Sequence, residues 1–243
     1  MPYQETSNIY DRLAAGLTDQ AVRQIVIGIN WTLVESDFGC GLSQTPSRDA
    51  PGCQPPSEAG RLTNVTLKEL AGLVHSENPL EMSIGMAALN ASYNRYDLQG
   101  GSDNGLDVFG TLKGPVTVIG RFPDLADRIE NLRIIERTPR EGEYPESAAK
   151  DLLPESEGVV ITASTFANGS AAELIALAQG ARVAIVGPGT PLAPSLFDLG
   201  IEVLAGFIVD DVPGAAKAVA EGAAVKSLKN YGHYTTLRAN SSA

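Results

Sequence analysis

Pro115-Val-Thr-Val-Ile119, Leu132-Arg-Ile-Ile135, Gly158-Val-Val-Ile161, Ala181-Arg-Val-Ala-Ile-Val186 and Glu202-Val-Leu-Ala205 are short, apolar and rich in β-branched residues. Such runs read as strands buried on both faces. Helical signals separate most of them. Pro123-Asp124 opens one helix, Ser170-Ala-Ala-Glu173 has the form of a capping box, Pro194 to Leu199 closes at Gly200, and Asp211 to Glu221 closes at Gly222. Strands alternating with helices predict a parallel sheet with right-handed crossovers. In such a sheet ligands bind beyond the carboxyl ends of the strands.

Those ends carry turn formers and polar groups: Gly120-Arg121-Phe122-Pro123, Glu136-Arg137-Thr138-Pro139, Thr162 to Gly169 with Thr165 and Asn168, and Gly187-Pro188-Gly189-Thr190-Pro191. Any single glycine or proline here is explained by the turn alone. Four such loops at one edge predict a small-ligand crevice. Phe122-Pro123 reads as a helix start, so Arg121 is expected beside free backbone N–H groups, where its guanidinium would suit a carboxylate or phosphate. The alternative is an ion pair between Arg121 and Glu136.

Working outward, Ile9, Leu13 and Leu17 follow Ser7 at helical spacing and predict an opening amphipathic helix. Gln24 to Asn30 reads as a buried strand, with Trp31 to Glu35 as its continuation or exit. From Ser36 to Arg61 four prolines and several glycines predict an irregular loop. Thr66-Leu-Lys-Glu69 is a capping box, and Asn78-Pro79 starts a helix with Leu80, Ile84, Ala87, Ala88 and Ala91 on one face. Tyr93 to Asn104 turns polar and glycine-rich. The reading is therefore α/β: a small α+β domain over 1–104, then a parallel-sheet domain over 105–243. The exit Asn30-Trp31-Thr32 in the first domain is expected to share a cleft with the Gly120 and Gly187 loops.

The 243 residues carry 18 Lys and Arg against 29 Asp and Glu, a net charge of -11 that argues against nucleic acid and anionic membranes as partners. The start lacks a basic and apolar leader, and no apolar run is long enough to span a bilayer, so a cytoplasmic protein is expected. With two cysteines there is no disulfide framework.

Signatures for P-loop hydrolysis, zincin proteolysis and α/β-hydrolase chemistry are absent. Gly187-Pro-Gly189 follows the fourth strand, and Leu192 stands where a dinucleotide fingerprint needs its third glycine. Glu136 does follow the second strand, the position of a ribose-binding acid, though without a glycine-rich first turn it reads equally as a strand-end acid paired with arginine. Cys40 and Cys53 share a loop with Asp37, and two thiolates with a carboxylate could hold a divalent or heavy metal; two ordinary loop thiols explain the spacing as well. His75 and His233 read as capping or surface residues.

Taken together, Ile27-Gly-Ile-Asn-Trp-Thr32, Glu81 to Asn90, Gly120-Arg-Phe-Pro123, Glu136-Arg137 with Pro139, Ile161-Thr-Ala-Ser-Thr165 with Asn168, and Gly187-Pro-Gly-Thr-Pro191 with Pro194 and Phe197 resemble the family described as putative heavy-metal chelation proteins. The resemblance covers nearly the whole chain. It implies an enolase N-terminal-like domain followed by a Rossmann-like domain, and binding of a metal, a metal chelate or an anionic small molecule between them. The family often has histidine where this chain has Arg121, which favours an anionic ligand or chelate over direct ligation. Two other classes stay open: an enzyme using a nucleotide-like or adenosyl cofactor, and a non-catalytic accessory subunit, including one working as a homodimer.

Overall fold

In the computed structural model, residues 3–239 are described apart from Asn104, Pro123, Asp124 and Ala126. Helix α1 (Tyr3–Ala15) leads into β1 (Val22–Ile27). Of the two readings of Trp31 to Glu35, a continuation of this strand or its exit, the continuation fails: the chain turns at Gly28, Ile29 and Asn30, where Gly28 N–H donates to the Trp31 carbonyl at 2.9 Å. β2 (Trp31–Ser36) then returns antiparallel, with Ile27 opposite Thr32. Glycine and asparagine favour such a reversal. β1 is also not buried: it lies at the edge of its sheet, and Ile27 and Ile29 are exposed. Within the stretch expected to be irregular, Cys40–Gln44 forms β3 against β2.

α2 (Leu67–Ala71) starts at the expected capping box, with Thr66 Oγ1 accepting from Glu69 N–H at 3.2 Å and Glu69 Oε2 from Thr66 N–H at 2.8 Å. α3 (Pro79–Tyr93) is capped by Asn78, whose Oδ1 accepts from Leu80 N–H at 3.1 Å. One apolar face was expected, but every residue from Ser83 to Ser92 is buried. The helix runs between the small sheet, α2 and the second domain, so its polar residues face protein too. Ser83 Oγ donates to the Gln44 carbonyl at 2.9 Å, and Asn90 Nδ2 reaches the Leu42 and Gly189 carbonyls at 2.7 and 2.9 Å. Gly41 permits this packing, because a Cβ there would lie 2.0 Å from the Ala87 carbonyl oxygen.

The second sheet contains β4 (Val116–Ile119), β5 (Leu132–Glu136), β6 (Tyr144–Pro145), β7 (Gly158–Thr162), β8 (Arg182–Val186), β9 (Ile201–Val209) and β10 (Gly232–Arg238). Its order is β10-β9-β8-β7-β4-β5-β6, parallel except for β10 against β9. The five strands read from the sequence are present. β6 and β10 were not foreseen, and His233 belongs to β10 rather than to a polar tail, with its Nδ1 2.8 Å from Asp210 Oδ2.

Short helices α4 (Ala149–Leu152), α5 (Ser164–Ala167), α6 (Ala171–Leu177), α7 (Val212–Ala220) and α8 (Val225–Leu228) complete the domain. Two helix expectations change. Ser170 does not cap α6, since its hydroxyl donates to Asn168 Oδ1 at 2.7 Å, and Pro194–Leu199 is a 3₁₀ helix closed by Gly200 at φ 82°. The helix start expected at Pro123-Asp124 lies outside the described residues. Downstream of it, Ile129 N–H donates to the Leu125 carbonyl at 3.1 Å.

The apolar residues of the large sheet face two cores. Ile161, Ile185 and Leu204 pack with α1, α3 and α6, whereas Val118, Val160 and Val203 pack against Phe109 and Leu125. A third cluster joins the domains: Trp31, Leu33 and Leu42 of the small sheet meet Phe207, Val209 and Val219. α1 also crosses to the large domain, where the Tyr10 hydroxyl donates to the Phe166 carbonyl at 2.7 Å.

Candidate ligand cleft

β4 and β7 are neighbours in the sheet, yet β4 leads next to β5 on one side and β7 to β8 on the other. The chain therefore diverges between β4 and β7, leaving a crevice at their carboxyl ends. Gly120 leaves β4 with φ 99° and Gly187 leaves β8 with φ 140°, conformations that side chains rarely adopt. A cavity of about 1640 Å³ opens over these loops.

Nine of the sequence-derived candidates line this one cavity: Gly120, Arg121, Glu136, Thr162, Thr165 and Asn168 from the first three strand ends, Gly187 and Gly189 from the fourth, and Trp31 from the small domain. Gln44 of β3 lies beside Trp31 in the wall, so both domains contribute. Three candidates stand elsewhere. Asn30 donates to the Gly222 carbonyl at 2.8 Å, fastening the hairpin turn to the end of α7, and Thr32 is buried with its hydroxyl 3.0 Å from that of Thr45. Thr190 is fully buried, with its Oγ1 unpartnered among the described residues.

Arg121 is held by protein groups. Its Nε and Nη2 donate to Glu143 at 2.8 and 2.5 Å, Nη2 also donates to the Thr138 carbonyl at 2.7 Å, and Nη1 is 3.7 Å from Glu136. The hydrogen bonds from Arg121, and then that from the Arg140 backbone, hold the Glu143 carboxyl down at about 2. The alternative reading, a pair with Glu136, is the weaker of the two contacts, and the main partner comes from the 137–143 loop, which spacing alone did not bring near. At the neighbouring strand end Thr165 Oγ1 donates to the Thr162 carbonyl at 2.8 Å, so this threonine shapes its own turn.

The wall also contains residues that strand-end reading missed. Lys150 comes from α4, Lys226 from α8, Lys229 from the turn after it, and Tyr234 from β10. No sequence signal marks them, because helix-borne lysines look like ordinary solvated residues. Among the described residues, Arg121, Arg128, Arg137, Lys150, Lys226 and Lys229 give the cavity six cations against three carboxylates, Glu136, Glu146 and Glu173. Acidic residues outnumber basic ones 29 to 18 in the chain, so the cleft reverses the charge sign of the molecule.

A family model, DUF364, described as putative heavy-metal chelation, matches residues 105–238, more than half of the chain. The chain belongs to the DUF364 family. A second model with the same description, DUF4213, matches residues 10–93. A DUF364-family protein of unknown function from Desulfitobacterium hafniense DCB-2 is 33% identical, with a TM-score of 0.87 over 98% of this chain and 100% of that one. A second, from Pyrococcus horikoshii, is 20% identical and shares the fold, with a TM-score of 0.82 over 97% and 100% of the two chains. No curated protein matches.

The family description makes a metal the natural occupant, but the side chains of this DUF364 chain do not suit a bare ion. Among the described residues no three His, Cys, Asp or Glu side chains gather as a metal site. Cys40 is fully buried, and burial, then Glu35, pushes its thiol up and disfavours the thiolate a metal needs. Asp37 is taken by Arg23 Nε at 2.7 Å and by Ala21 N–H at 3.1 Å. Cys53 sits by the start of α3, where neighbouring Gly52 and Gln54 meet Glu77 and Asn78, whereas Gly39 and Gly41 flank Cys40 against Ala87 and Ala91 toward the helix end. Two or more turns of helix, roughly 10 to 20 Å, separate the two places.

Proposed function

We propose that this protein binds an anionic small molecule in the cleft between its two domains, a heavy-metal ion entering only as part of an anionic chelate. The observation that carries this is the charge reversal, six cations and three carboxylates among the described residues lining a cavity in an acidic chain. Low-dielectric walls focus such a field and raise the local concentration of anions. The family description supports the chelate form, since the ligand can supply the metal donors that the described residues lack. The divergent strand order supports a Rossmann-like reading of the large sheet, and the cavity over the strand-end loops, where such sheets bind their ligands, supports this location.

The test is calorimetric titration of untagged protein with citrate and pyrophosphate, each alone and loaded with a divalent metal, beside the metal ion alone. Binding of the anions, and of their metal complexes but not of the free ion, is the expected result. The double variant Lys150→Ala/Lys226→Ala should weaken it by roughly tenfold or more, about 1.4 kcal/mol. Tight binding of the free metal, unchanged in that variant, overturns the proposal.

A further inference from the structure

Glu136 is out of keeping with a cleft built for anions. It is the last residue of β5, its side chain is only 20% exposed, and it lines the cavity beside cations. Among the described residues the one charged partner of its side chain is Arg121 Nη1 at 3.7 Å, so its oxygens keep acceptor sites open toward the cavity. Such a carboxylate repels the anionic part of a ligand, yet it can accept hydrogen bonds from a neutral or cationic part. It is accounted for if the ligand brings the donors.

The fold says which donors. Counted from β4, the parallel strands are arranged 3-2-1-4-5-6, with the divergence between β4 and β7. In sheets of this order the acid ending the second strand accepts from the hydroxyls of a ribose, while the phosphates lie at the crevice beside it. β5 is that second strand and Glu136 its terminal acid. The cations Arg128, Arg137 and Lys150 line the same cavity and can neutralise phosphate. Adjacent strands are about 4.8 Å apart, so a diphosphate attached to a ribose on Glu136 reaches the β4 loop without leaving the cavity.

We infer that the cleft takes a ribonucleoside phosphate, with Glu136 accepting from the vicinal 2′ and 3′ hydroxyls and the surrounding cations binding its phosphates. This rests on the anion-binding reading and narrows it to a ligand class. An amine could also serve the carboxylate, so the probes must separate diol from ammonium.

The test is equilibrium binding, by calorimetry, of the four common ribonucleoside diphosphates, their 2′-deoxy counterparts, phosphoethanolamine and inorganic pyrophosphate. At least one ribonucleotide should bind at least tenfold more tightly than its deoxy counterpart. The isosteric Glu136→Gln variant should reduce that ratio below threefold while its melting temperature stays within the ordinary range for a surface change. The ribo-to-deoxy comparison in the unaltered protein needs no variant, so a folding defect cannot mask the answer. Equal affinity for ribo and deoxy forms, or binding of phosphoethanolamine with none of the nucleotides, overturns the inference. Binding of pyrophosphate in either case leaves the anion cleft standing; if no anion binds, both readings fail.

Discussion

Arg121 shows how one side chain can serve a wall without being free for a ligand. Its guanidinium is spent on Glu143, the Thr138 carbonyl and a distant Glu136, which ties the 137–143 loop to the end of β4. The consequence is a pH dependence. Glu143 is held at about 2 in the folded protein against an ordinary 4.5, so its pairing stabilises the fold fully above pH 4.5 and that contribution is lost as pH falls from 4.5 toward 2. Denaturant unfolding from pH 6 down to pH 2.5 should show a steeper acid loss in the wild type than in Glu143→Gln, and a carbon-13 titration should place the Glu143 carboxyl near 2. Equal acid limbs would mean that the pair is solvated and idle.

Among the elements, α3 carries the most consequence per residue. Asn90 reaches from its middle to the Leu42 carbonyl of β3 and the Gly189 carbonyl of the cleft wall. Asn90→Ala removes one donor from two buried acceptors, so a loss of about 1 to 3 kcal/mol in unfolding free energy is expected. Gly41→Ala should cost a comparable amount, about 1 to 3 kcal/mol or more, because its Cβ would press on the Ala87 carbonyl. Both are read from denaturant midpoints at an unchanged slope.

The same elements show what the sequence could and could not reveal. β4, β7 and β8 are largely apolar runs, β4 and β8 with glycine just beyond, and both faces of the sheet are covered, so pattern and environment agree. The caps at Thr66 and Asn78 were legible because capping is a local hydrogen-bond problem. β3, Cys40-Gly-Leu-Ser-Gln44, was not: its small residues are selected by the backbone of α3 passing close by, a contact far away in sequence. β10 was missed because an edge strand pairs on one side only and keeps exposed His233 and Arg238. In the cleft, the strand-end loops could be anticipated from the parallel sheet. The lysines from α4 and α8, and the Glu143 partner of Arg121, depend on how loops fold back, which spacing does not encode.

At the scale of the molecule, two domains in sequence share one packing unit. α1 belongs to the first by position but reaches the second through Tyr10, while Trp31, Leu33 and Leu42 join the small sheet to Phe207 and Val219. Thermal unfolding should therefore be a single transition, with calorimetric and van't Hoff enthalpies in agreement. Two separated peaks would show the domains to be independent. No helix among the described residues is long and apolar enough to cross a membrane.

Asn94 Nδ2 donates to the Thr190 and Phe207 carbonyls at 3.0 and 3.2 Å, while its Oδ1 accepts from Leu192 N–H at 3.0 Å, and Asn90 grips Gly189, the residue next to Thr190 in the same loop. These bonds cross between the domains from α3 and from Asn94 at its C-terminal end, and the helix is buried from Ser83 to Ser92. Drawing the domains apart would break several buried hydrogen bonds together, so the aperture is set before any guest arrives. Entry then resembles a key meeting a finished lock. In rapid mixing, the observed association rate should climb in proportion to ligand concentration without levelling off, because no slow closing motion remains to limit it.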